Sequence, residues 1–133
     1  MSRSGYSDDY DGSELCLYRG AVASAINGRR GQKLLRELLS AMDAMPEKRL
    51  IADDLVRDGE YCALGVVGKA RDIDMSGLDP HDPETLANVF NIAPALVREI
   101  EYENDEAWYA STPEERWVQV RKWAESNVAK ESD

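Results

Sequence analysis

GQKLLRELLSAMDA, residues 31–44, repeats Leu34, Leu35, Leu38, Leu39 and Met42 at helical spacing, while Arg29 just upstream, Lys33 and Arg36 line the opposite side. Apolar residues recurring three and four apart share one face of a period-3.6 helix, so this stretch predicts an amphipathic helix that buries its leucines. Pro46 ends it, because proline has no amide hydrogen and its ring clashes with the preceding turn.

Upstream, Ser13 is placed to cap a helix in which Leu15, Tyr18, Val22, Ala25 and Ile26 fall on one face, and Asn27-Gly28 is a left-handed stop. The first dozen residues, MSRSGYSDDYDG, have no apolar periodicity and read as a flexible acidic tail over 1–12. Downstream, LIADDLV (50–56) fits a short strand or a helical turn, and Asp58-Gly59 signals a turn after it. YCALGVVGKARDID leaves two readings. A helix over 61–71 is favoured because Gly65 and Gly68 let two helices approach closely, although each glycine costs about 1 kcal/mol relative to alanine. A hairpin through Asp58-Gly59 competes with it, since Val66 and Val67 suit strands.

Asp82-Pro83-Glu84 begins a further helix with Asp as cap and Pro at its first position, Pro94 opens another, and Thr112-Pro113-Glu114-Glu115 is a capping box that starts the last. Near Tyr102 the helix opened by Pro94 is expected to end, leaving Glu103 to Glu106 in a loop, because acids oppose the negative end of a helix dipole. The fold expected is mainly α: a single compact domain of five or six helices over 13–129, with room for one short β-hairpin around 50–67.

With 133 residues and 43% hydrophobic content, the chain can build one core without disulfides or metals. Its two cysteines, Cys16 and Cys62, lie far apart and belong to no zinc-type cluster. No apolar run suits a signal peptide or a membrane span, so a cytoplasmic location is expected, with no membrane partner. The net charge of −10 is unevenly spread: residues 72–115 hold twelve acids and one base, Arg98, whereas 19–71 hold ten bases and seven acids. Such a polarised surface can steer a charged partner.

REIEYENDEAWYASTPEERW (98–117) concentrates the acids. On one continuous helix Glu99, Glu103 and Glu106 would share a face, which could gather oxygen ligands for a divalent ion. No histidine joins them, since His81 is the only one in the chain, and no metal or other cofactor is assigned. DIDMSGLDPHDPE (72–84) approaches a calcium-loop pattern through Asp72, Asp74, Ser76 and Gly77, but its twelfth position is Pro83. TLANVFNIAPALVREI (85–100) has the apolar spacing of a helix-turn-helix, yet Arg98 is followed by Glu99, Glu101 and Glu103, which phosphates would repel. GVVGKA lacks the G-x-x-x-x-G-K-[ST] pattern of a phosphate loop. Two contact surfaces remain: the acidic, aromatic stretch with Glu99, Glu103, Asp105, Glu106, Trp108 and Tyr109, and second the basic stripe of Arg29, Lys33 and Arg36.

GRRGQKLLRELLSAMDAMPEKRLIADDL, CALGVVGKARDIDM, and YENDE followed by TPEERW together resemble a family of small bacteriophage- and prophage-encoded proteins of unknown function, over about Gly5 to Trp123. That resemblance implies life inside an infected bacterium but carries over no catalytic residues. The expectation is a non-enzymatic accessory protein that binds a host or phage protein through an acidic, polarised surface, in an inhibitory, anti-defence or nucleic-acid-mimicking role. A DNA-binding regulator and a divalent-metal-dependent enzyme are the alternatives, nucleic acid being disfavoured as a partner. The oligomeric state is left open.

Overall fold

The leucine-rich stretch becomes α2 (Arg29–Ala44), preceded by α1 (Gly12–Asn27), in a computed structural model that describes residues 12–106 and 112–129. The expectation of a flexible tail lies outside the described residues apart from Gly12, which already belongs to α1. α2 buries Leu34, Leu35, Leu38 and Met42 completely. The α1–α2 junction is tight: a Cβ on Gly31 would sit 1.9 Å from the carbonyl oxygen of Ala25. At the other end of α2, Lys48 Nζ donates to the carbonyls of Asp43 and Met45, both at 2.6 Å, which satisfies acceptors that a helix end leaves open.

In the next segment Val66 and Val67 lie in a helix, as favoured, and not in strands; the Asp58-Gly59 hairpin forms just before it. β1 (Val56–Arg57) and β2 (Glu60–Tyr61) form a two-stranded antiparallel hairpin with Val56 opposite Tyr61. Asp58 and Gly59 adopt left-handed φ values of 54° and 79°, the conformation that a two-residue turn of matching twist requires. α3 (Ala63–Ala70) follows at once, capped by the Cys62 side chain. The two glycines of α3 do allow close approach, but not of a second helix. A Cβ on Gly65 would meet the Leu55 carbonyl oxygen at 1.9 Å, and one on Gly68 would meet Met75 Sδ at 2.4 Å, so the close neighbours come from the connecting segments.

α4 (Pro83–Phe90) starts where Asp82 accepts the Thr85 amide and stops at Asn91, whose φ of 58° is the left-handed stop that asparagine tolerates. α5 (Pro94–Glu101) packs between α4 and α1. The expected loop after it is instead a π-helical turn, Tyr102–Glu106, which continues the helix with wider hydrogen bonding. α6 (Pro113–Asn127) carries the expected capping box: Thr112 Oγ1 accepts from Glu115 N at 3.1 Å and Glu115 Oε1 accepts from Thr112 N at 2.9 Å.

The described elements thus make a mainly α fold of six helices with one short hairpin around a common core of α2, α3, α4, α5 and α6 residues. Three polar links, through buried Gln32 and Arg116 and half-buried Arg71, hold the elements together. Gln32 donates to the carbonyls of Ile26 and Asn127 and accepts from Ala129 N, joining α1, α2 and the exit of α6. Arg71 pairs with Glu37 and donates to the Phe90 carbonyl, tying α2 and α3 to the end of α4. Arg116 spans from α6 to Leu50 and the π turn. Among the described residues no helix is long and apolar enough to cross a membrane.

Candidate functional site

The π turn places two consecutive side chains against the segment that leads into the hairpin. Asn104 is buried; its Oδ1 accepts from Ala63 N at 3.0 Å and its Nδ2 donates to the Ile51 carbonyl at 2.9 Å. Asp105 is half-buried and accepts from Asn104 Nδ2 at 2.6 Å and from Asp53 N at 3.3 Å. Asp53 offers that amide from a left-handed backbone, φ 70°, which aspartate tolerates better than most residues.

One helical turn earlier Glu101 reaches His81, with Nδ1 and Oε2 2.8 Å apart. His81 is positioned by the Asp79 side chain, which accepts the His81 amide at 2.8 Å, and Pro80 lines the same cleft. Asp79, Glu101 and Asp105 therefore act on His81, while Asp53 and Asp54 line the cleft beside Glu101 and Asp105. Asp54 has its own partner, Arg57 Nη1, at 2.6 Å.

The charges respond to this crowding. Burial pushes the Asp105 and Glu101 carboxyls above their ordinary values, and neighbouring carboxylates push in the same direction: Asp53 on both, Asp105 on Glu101. The hydrogen bond to Glu101 holds His81 above its ordinary value, with further support from Asp79 and Asp105. The Cys62 thiol, which also lines the cleft, is pushed up to about 12 by burial.

The cleft between these groups holds only about 20 Å³, room for little more than one water molecule. Among the described residues no three His, Cys, Asp or Glu side chains converge closely enough to hold a metal ion. In the 72–84 segment several acids serve the backbone locally: Asp74 accepts from Ser76, Asp79 from His81 and Asp82 from Thr85. What the arrangement offers is a shallow acidic face with a single imidazole in it.

The acidic residues singled out from the sequence are dispersed by the fold. Glu99 is 4% exposed, on the face that α5 turns inward beside Tyr18 and Trp123, so it takes no part in the outer surface. Glu103 is half-buried, and only Asp105 lies in the cleft. The side chain of Glu106, and Trp108 and Tyr109, lie outside the described residues. The π turn also breaks the four-residue register that would have aligned Glu99 with Glu103. Asp53, His81 and Glu101 were not picked out, because nothing in their local spacing links them.

The basic stripe is brought together as its helical spacing implies: Arg29, Lys33 and Arg36 are exposed along the outer side of α2 and make no ion pair among the described residues. Arg30, one residue over, donates to Asn91 Oδ1 at 3.3 Å. The α4–α5 pair has a helix-turn-helix outline, but every residue of α5 is buried or half-buried. Its outward row of Ala95, Arg98 and Glu101 is half-buried and carries one base and one acid.

Comparison with protein-family models, curated proteins and solved structures finds no match to this chain. The fold and the composition define a class only: a small, acidic, mainly helical protein with one short hairpin.

Proposed function

We propose that this protein is a non-enzymatic accessory protein of phage or prophage origin that binds a basic surface on a host or phage macromolecule. The observation that carries the reading is the convergence of Asp53, Glu101 and Asp105 at a cleft of about 20 Å³, with Asp79 beside the His81 that Glu101 holds. Carboxylates held this way form a preorganised negative field, which raises the encounter rate with a cationic groove and can compete with nucleic acid for it. The exposed Arg29, Lys33 and Arg36 stripe is a second contact, suited to an acidic part of the same partner.

The test is affinity capture from bacterial lysate with the intact protein and with a variant carrying Asp53→Lys, Asp79→Lys and Glu101→Lys. A partner that is retained at about 50 mM salt, released by several hundred millimolar salt and lost with the variant supports the reading, since surface electrostatics weaken as the Debye length shortens. An identical capture profile for both proteins, or retention indifferent to salt, overturns it. Retardation of duplex DNA by the protein at low salt would favour a regulator instead.

A further inference from the structure

A groove of about 520 Å³ lies away from the acidic cleft. One wall is the end of α2 and the segment after it; the other is the tip of the hairpin and the outer side of α3. Its apolar lining includes Ala41, Met45, Val66 and Ala70, and apolar atoms dominate its surface. The volume falls within the roughly 300–1,000 Å³ typical of small-molecule sites.

The walls are braced. Lys48 ties the end of α2, and Arg49 Nε lies 2.9 Å from Glu60 Oε1 in the hairpin and 3.8 Å from Glu114 Oε2 at the start of α6. Arg49 is thereby neutralised by two carboxylates. Lys69 differs: its Nζ stands 5.5 Å from the centroid of the Tyr61 ring and makes no ion pair among the described residues. A preformed apolar trough thus ends at an exposed cation backed by an aromatic face. The other charge without an ion pair there among the described residues, Glu47, would repel a second anionic group.

We propose that this groove binds a small amphipathic monoanion, an apolar chain or ring system bearing one carboxylate, with the apolar body along Ala41, Met45 and Val66 and the anion at Lys69. This site is independent of the acidic face. Charge complementarity at the Tyr61-backed end selects the occupant: a cationic amphiphile in the same orientation would set its charge against Lys69, and a dianion would set one against Glu47.

Octanoate is the first probe, titrated calorimetrically into the intact protein, with hexanoate, decanoate and octylammonium as companions. Octanoate is expected to bind at a single site and each methylene to tighten binding roughly three- to fourfold, the factor for burying one methylene. Lys69→Met is expected to weaken octanoate at least tenfold while Lys69→Arg retains it. Ala44→Trp and Ala70→Trp sit at exposed helical positions on opposite walls, so either one that keeps the wild-type circular dichroism serves to fill the groove and abolish binding. No binding at millimolar octanoate, equal affinity for octylammonium, or full binding by a folded groove-filled variant overturns the proposal. So does a dimer in sedimentation that octanoate dissociates, which would show a second copy to be the native occupant.

Discussion

Asn104 Oδ1 accepts the amide of Ala63 at 3.0 Å, so a side chain from the π turn caps the first turn of α3, forty-one residues away. The opposite end of the same amide group donates to the Ile51 carbonyl at 2.9 Å. One buried residue therefore satisfies a donor that the start of a helix leaves open and an acceptor in the segment before the hairpin. Asn104→Leu removes both bonds in a dry environment. It is expected to destabilise the fold by roughly 1–3 kcal/mol for each orphaned group, read as a lower urea midpoint at an unchanged slope.

Arg116 is 8% exposed and spends its charge on carbonyl oxygens, donating through Nε to Asn104 at 2.8 Å and through Nη1 to Leu50 at 3.0 Å. The planar fork of guanidinium fits two acceptors at a fixed angle, which an ammonium group cannot reproduce. Arg116→Met is expected to cost about 3 kcal/mol, two charge-assisted bonds at roughly 1.5 kcal/mol each. Arg116→Lys is expected to recover less than half of the lost stability in the same denaturation experiment.

Three glycines separate two physical effects. At Gly65 an added Cβ would lie 1.9 Å from a backbone oxygen of Leu55, which cannot move without shifting the hairpin. Gly65→Ala is therefore expected to destabilise by at least about 1–3 kcal/mol through overpacking, and Gly31→Ala likewise. Gly20, in α1, has nothing within 4 Å of the added atom. Gly20→Ala is expected to stabilise by up to about 1 kcal/mol, from helix propensity alone. Thermal melts of the three variants distinguish these signs directly.

The His81–Glu101 pair sets a pH dependence. A histidine held above its ordinary value of 6.5 gives stability that is fully present below that value and is lost as pH rises through the folded value. Glu101 and Asp105, also raised, act in the same direction at lower pH: the folded state keeps their protons longer, so stability falls as pH climbs past 4.5 and 3.8 respectively. The expected profile for these three groups declines with pH in both windows. His81→Gln is expected to flatten the decline above pH 6.5 and, because the imidazolium holds Glu101 and Asp105 down, to deepen the decline on the acidic limb, as followed by urea midpoints at a series of pH values.

How far the fold was legible depends on the range of the forces involved. The α2 face, the Asp82 and Thr112 caps and the Asp58-Gly59 turn each express interactions within a few residues, and each appears at its expected place. The choice between a hairpin and a helix after residue 55 was posed as a rivalry because local propensity sees a shared window; the chain resolves it by giving four residues to the strands and eight to α3. The π turn was not legible, since its wider bonding is favoured by Asn104 and Arg116 partners that lie 12 to 66 residues away from the atoms they bind.

For the site the division is sharper. Sequence by itself determined the helical class, the starts of α4 and α6, the charge asymmetry and the stripe of Arg29, Lys33 and Arg36, because periodicity, capping and composition act locally, whereas Ser13 lies inside α1 and Gly28 is extended rather than left-handed. Only the tertiary structure decided that Glu99 turns inward while Asp53, Asp79, His81, Glu101 and Asp105 meet. Those five come from segments with no common period, and their proximity follows from how α5 and the π turn dock against the loop before the hairpin, where burial and neighbouring carboxylates raise Glu101 and Asp105.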